Sequence, residues 1–277
     1  MAATPRPPEV GNFIHFEHVN LRVDDHRPAT LFFVLGLGCT RDPYRMVGVR
    51  NIWLNFGHQQ FHLPLGQATP FPGEVSVAVP DLERTRHDLK EIAPQLKGTG
   101  FDCRQENGTL ATRDPWGHAL RVHDARKLPG RLPQSIPHVT FHVPPGTAEG
   151  IARFYREVLA CPAETAGRKG SRETTVTVGP HQSFRYVERK GAETAPAHNN
   201  HVAVYLTRYW ETYETLRQRD LIMEPVGVAI EQFRFSDIVD VDSGTLLYRI
   251  EHEMRSLYHP DFRKPLVNRT PVPYPVD

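Results

Sequence analysis

The sequence predicts an α+β chain built from four βαβββ modules, two in each of two related halves. Three observations carry this expectation. The chain repeats itself, with "FEHVNLRV" (16–23) answered by "IPHVTFHV" (136–143) and "GEVSVAVPDL" (73–82) by "NHVAVYLTRY" (200–209). Each opening strand is followed by a helical stretch and then by short strands. In each opening strand apolar residues alternate with polar ones, as in a sheet with helices packed on one face.

Further matches complete the repeat. "LFFVLGLGC" (31–39) aligns with "RFYREVLAC" (153–161), "GHQQFHL" (57–63) with "PHQSFRY" (180–186), and "DPWGHALRV" (114–122) with "DSGTLLYRI" (242–250) across a one-residue gap. The expected boundaries are a Pro-rich flexible arm over 1–12, a first domain over 13–125, and a linker over 126–135. A second domain over 136–255 and a Pro-rich tail over 256–277 follow. The helices read as "PATLFFVLG", "DLERTRHDLKEI", "TAEGIARFYREVL" and "YWETYETLRQR". In the second of these Leu82 and Leu89 fall on one stripe at i, i+7.

The alternation also carries a chemical clue. In the first opening strand Val19, Leu21 and Val23 share one face, and His18, Asn20 and Arg22 the other. In the third, Val139, Phe141 and Val143 oppose His138, Thr140 and His142; in the fourth, Val202, Val204 and Leu206 oppose His201, Ala203 and Tyr205. The second gives Val75, Val77 and Val79 against Glu74, Ser76 and Ala78. Each polar face begins with a titratable residue at the same position, which chance surface polarity does not predict.

Bulk properties exclude several functions. With 33 basic and 32 acidic residues the net charge is +1, so no nucleic acid or anionic membrane is expected as a partner. Three cysteines without a C-x-x-C spacing fit a reducing, cytoplasmic setting. The opening "MAATPRPPEVGN" lacks the apolar stretch of a secretory signal. Phosphate-loop, dinucleotide-fold and Ser-His-Asp signatures are not found. The basic tail "RSLYHPDFRKPLVNR" is expected to pack across the other domain or a second subunit of a homodimer.

Together "EHVNLRV…LFFVLGLG…EVSVAVPDL…DPWGHALRV" and "PHVTFHV…RFYREVLA…HVAVYL…DSGTLLYRI" resemble the vicinal oxygen chelate superfamily, the glyoxalase, bleomycin-resistance and extradiol-dioxygenase fold, over about residues 13–255. The resemblance implies two glyoxalase-like domains, each a half-open mixed β-barrel with helices outside. It implies a divalent metal held by residues of the opening strands and by a Glu on a closing strand. In the first half those positions fall on His18, Glu74 and Arg121, and a guanidinium repels a cation, so an ion pair of Arg121 with Glu74 is the alternative to a metal there. In the second half they fall on His138, His201 and a third residue. Glu74 to Arg121 and His201 to Tyr248 both span 47 residues, which puts Tyr248 in register. Glu251 would need a bulge to turn inward.

The metal ligands expected are His138, His201 and, as the third, Glu251 or else Tyr248, holding Fe(II), Mn or Zn. His181 and Tyr248 are the expected catalytic residues, and Tyr205, Phe184, Tyr186 and His142 the substrate-binding ones. The implied function is a metal-dependent enzyme, dioxygenase-like or a lyase or isomerase, acting on a small oxygenated or aromatic molecule in the C-terminal cavity. The alternative is a metal-free protein that binds or sequesters a small molecule.

Overall fold

A computed structural model of the chain describes residues 10–45, 48–130, 132–168, 171–227 and 231–269, with 224–227 by backbone alone. Residues 1–9 of the expected arm, 131 of the linker and 270–277 of the tail lie outside the described residues. The four modules follow in order. The first is β1 (Phe13–Asn20), α1 (His26–Ala29), β2 (Thr40–Arg41), β3 (Asn51–Phe56) and β4 (Gln59–Pro64); the second is β5 (Gly73–Val79), α2 (Leu82–Ile92), β6 (Asp102–Glu106), β7 (Thr109–Arg113) and β8 (Ala119–Asp124). The third is β9 (Ser135–Val143), α3 (Ala148–Glu157), β10 (Ala163–Arg168), β11 (Ser171–Gly179) and β12 (Gln182–Glu188). The fourth is β13 (His201–Leu206), α4 (Tyr209–Gln218), β14 (Ile222–Gly227), β15 (Gln232–Val239) and β16 (Leu246–Arg255). The βαβββ order expected from the sequence is thus present four times.

The strands form two eight-stranded mixed sheets, ordered β14-β15-β16-β13-β1-β4-β3-β2 and β10-β11-β12-β9-β5-β8-β7-β6. Within a module the opening strand runs parallel to the closing one, as β1 does to β4 and β5 to β8, while the meander strands pair antiparallel. A parallel pair needs a crossover, which the intervening helix and strands supply. The apolar residues of the opening strands are buried: Val19, Val77, Val139 and Val204 are each 0% exposed.

Helix α2 starts at Asp81, whose carboxylate accepts from the Arg84 backbone N–H at 2.9 Å. It buries Leu82, Thr85, Leu89 and Ile92. The stretch "PATLFFVLG" differs from a plain α-helix. Its α-helical part is only α1, and residues Thr30–Gly36 coil more widely as a π-helix. Gly36 closely approaches α2: a Cβ there would lie 2.7 Å from Leu89 Cδ2 and 2.9 Å from Ile92 Cδ1, so those side-chain ends would have to move.

By packing, the chain divides into two compact units. One comprises Met1–Phe16, Phe141–Pro196 and Ala203–Phe262; the other comprises Glu17–Thr140, Ala197–Val202 and Arg263–Asp277. The first has an aromatic core of Phe141, Phe154, Tyr155, Phe184, Tyr186, Phe235 and Tyr248, all 0% exposed. The second centres on Phe32, Phe33, Phe56, Phe61, Leu89 and Leu110, also 0% exposed. Among the described residues no helix is long and apolar enough to cross a membrane.

Candidate metal centre

The second unit gathers three histidines from three strands: His18 of β1, His62 of β4 and His201 at the start of β13. The strand register explains the first two. His18 and Asn20 are two residues apart and so share a face of β1, and Asn20 sits beside His62 in the parallel pair. The Asn20 amide lies 2.9 Å from His62 Nδ1, which fixes the imidazole on the same face. One ligand nitrogen from each histidine falls within 4.8 Å of the other two, and this is the one such His, Cys, Asp or Glu group among the described residues.

The spacing of two of its members suits a divalent cation. His18 Nε2 and His201 Nε2 are 3.3 Å apart. Two nitrogens each about 2.05 Å from a tetrahedral ion stand about 3.3 Å apart, and about 2.9 Å at a right angle. His18 is 0% and His201 6% exposed, so both imidazoles are held in the interior rather than waving in solvent. The neighbouring Glu17, itself buried, bonds His18 Nδ1 with its carboxylate. That contact keeps the proton on Nδ1 and leaves the Nε2 lone pair pointing into the group, the usual way a carboxylate orients a ligating imidazole. His62 is the more exposed member. Its ring stacks on Trp53, centroids 3.9 Å apart and 9° from parallel, and Nε2 lies 3.3 Å from Asn51 Oδ1. The Arg45 guanidinium also lies over Trp53, 4.5 Å from the ring centroid.

The expected site residues distribute differently. Of the expected ligands, His201 joins this group. His138 bonds instead to Ser76 Oγ at 2.7 Å, with His123 on the other side of that hydroxyl at 3.3 Å. Glu251 pairs with Arg234 Nη1 at 2.9 Å. The register of β15 and β16 does shift between Phe235–His252 and Asp237–Arg249, a bulge of the kind Glu251 would need. Its carboxylate nonetheless lies outside the three-histidine group.

Tyr248 is not a member of the three-histidine group. Its ring packs against Phe141 and Tyr186, centroids 6.2 and 6.1 Å away, in the core of the first unit. Its hydroxyl has no hydrogen-bond partner among the described residues, and burial pushes its pKa up, so a phenolate ligand is disfavoured there.

His181, expected as a base, is exposed with φ 58° in the turn between β11 and β12, where it serves the turn. Phe184 and Tyr186 are core residues rather than cavity lining. Tyr205 is buried against the Arg255 guanidinium and stacks parallel to His15, centroids 6.2 Å apart. His142 lies beside the Arg189 guanidinium at 3.2 Å. The alternative expected for Arg121 is present: it bonds Glu74 at 3.0 Å and Glu106 at 2.8 Å.

Sequence reasoning missed that His18, His62 and His201 meet. A usable signal existed, since His62 stands where its strand alternation matches His18. The reading kept each site within one half of the sequence, and so separated His201 from both.

No protein-family model matches the sequence, and no curated protein does. Solved structures do. Glyoxalase I from Zea mays superposes with a TM-score of 0.61 at 15% identity, covering 87% of this chain and 92% of that one. A mutant of the same enzyme gives 0.59 at 14%, covering 87% and 93%. A proposed dioxygenase from Bacillus subtilis gives 0.55 at 12%, covering 88% of this chain and 86% of the other. With two eight-stranded mixed sheets built from four βαβββ modules, the chain has a glyoxalase-like fold.

Proposed function

We propose that this protein is a metal-dependent enzyme of the glyoxalase fold, centred on His18, His62 and His201 and acting on a small oxygenated or aromatic substrate in a reducing cytoplasm. The observation that carries the reading is the 3.3 Å between His18 Nε2 and His201 Nε2, with His62 in the same group. A divalent ion there would supply Lewis acidity toward adjacent oxygens of a bound substrate. His18 and His201 would hold it through Nε2, and Glu17 keeps the His18 proton on Nδ1 so that this lone pair stays available. Trp53, edge-on to His18 and stacked beneath His62, walls the group with an apolar surface.

A second reading, a metal-free binding protein, draws on one feature: both ring nitrogens of His62 already have amide partners in Asn20 and Asn51. One experiment separates the two. Protein purified without a histidine tag is expected to hold about one equivalent of a transition metal, lost in His201→Ala. Less than about a tenth of an equivalent, after both aerobic and anaerobic handling, would decide for the binding protein.

A further inference from the structure

Helix α2 packs over β7 and β8. Between it and β6, the last strand of its sheet, a cleft of about 410 Å³ remains, within the roughly 300–1,000 Å³ of small-molecule sites. Its apolar part is Phe101, half-buried and edge-on against Phe32 with centroids 6.1 Å apart, backed by the buried Leu89 and Leu110, while Arg86, Lys90, Asp102 and Gln105 make the rest polar.

One flank of the cleft is cationic. Arg86 and Lys90 stand one turn apart on α2, and like charges at i, i+4 destabilise a helix unless a counter-charge meets them. Arg86 has Glu83 at 2.8 Å, whereas Lys90 has no ion-pair partner among the described residues. On the opposite wall Asp102 is engaged by Arg104 at 3.0 Å, so its charge is met locally. The cleft therefore offers an apolar patch with an unmatched cation at its edge.

We propose that this cleft, which shares no residue with the three-histidine group, binds a monocarboxylate with an apolar body. The body would lie against Phe101, backed by Leu89 and Leu110, and the carboxylate would sit between Lys90 and Arg86.

Cys103 makes the proposal measurable. It lines the cleft and is partly exposed, while Cys39 and Cys161 are buried. Alkylation of the native protein by iodoacetamide thus reports on Cys103. Burial pushes its thiol above the ordinary range, so the reaction belongs at alkaline pH. Octanoate at ten times its dissociation constant is expected to slow alkylation about tenfold, and octanol at the same concentration far less. Lys90→Glu, a change at an exposed position, is expected to lose the protection, read as the ratio of its own alkylation rates with and without octanoate. Three results would overturn the proposal: no slowing by octanoate, equal slowing by octanol, or full protection in Lys90→Glu. The octanoate–octanol comparison stands on the wild-type protein alone, whatever the variant does, and neither depends on a metal being bound.

Discussion

His62 is the least buried of the three gathered histidines, and its orientation depends on neighbours rather than on depth. Trp53 lies flat against its ring, and the Asn20 and Asn51 amides stand at its two nitrogens, so one of them must yield for that nitrogen to ligate. A ligating imidazole must keep its lone pair aimed within a narrow cone, and outer partners that fix the ring commonly carry 10–100-fold in metal affinity. Trp53→Ala is therefore expected to weaken metal binding by about 10–100-fold, while Trp53→Phe, which keeps an aromatic face, stays within about threefold of wild type. Calorimetric titration of the metal-free protein checks both, and an unchanged affinity in Trp53→Ala would remove Trp53 from the site. At this scale the sequence was informative about residue type and poor about company. The alternation put His18 and His201 on polar strand faces, where they are. It could not show that Asn20 meets His62, because that contact depends on a parallel register between strands 42 residues apart.

At the scale of the element, β16 shows why reading a strand is harder than finding one. "LLYRIEHE" is a strand, as its pattern predicts, and Tyr248, Ile250 and His252 share a face. Alternation says which residues travel together but not which face meets the core when both carry polar groups. Here the Tyr248 face is the core, and the opposite face carries Arg249 and Glu251 in ion pairs with Asp237 and Arg234. A titratable residue was thus assigned to chemistry when it was needed for packing. His252 is bound into the interior by a chain of hydrogen bonds. Its Nδ1–H donates to Ile250 O at 2.8 Å, Tyr155 donates to its Nε2 at 2.6 Å, and Tyr186 donates to the Tyr155 hydroxyl at 2.5 Å. The Tyr155 hydroxyl links α3 to β12 and β16. Removing it leaves two buried polar groups without their partner, at about 1–3 kcal/mol each before relaxation. Tyr155→Phe is expected to lose about 2 kcal/mol or more in urea unfolding with an unchanged slope. A midpoint equal to that of the wild type would show that the chain is dispensable.

At the scale of the whole molecule, the fourfold module order was legible because each module repeats its own local pattern. Which opening strands lie side by side was not, because pairing between distant segments leaves no mark on alternation. Buried titratable groups leave no such mark either, yet three of them shape the stability of the whole chain. Burial pushes His118 and His252 down to about 4, and Asp114 up to about 8. The Asp114 carboxyl accepts from the backbone N–H groups of Trp116 and His118 through Oδ1, while Oδ2 has no hydrogen bond among the described residues and lies 3.9 Å from His118 Nε2.

For the histidines the folded pKa lies below the unfolded value of about 6.5, so their contribution is complete above pH 6.5 and is lost as pH falls toward 4. Each loss approaches about 3 kcal/mol. For Asp114 the folded pKa lies above the unfolded value of about 3.9, so its contribution is complete below that value and is lost as pH rises toward 8. Between pH 4 and 6.5 the three oppose one another, and the two histidines outweigh the one carboxyl. Above pH 6.5 only Asp114 among them still changes, and stability falls. Urea midpoints are therefore expected to peak near pH 6.5. Asp114→Asn keeps an acceptor at Oδ1 and removes the ionisation, so it is expected to flatten the decline from pH 6.5 to 8 while leaving the acid limb standing. If the variant declines in parallel with the wild type over that interval, Asp114 is ionised in the folded protein at neutral pH, and the alkaline limb has another origin.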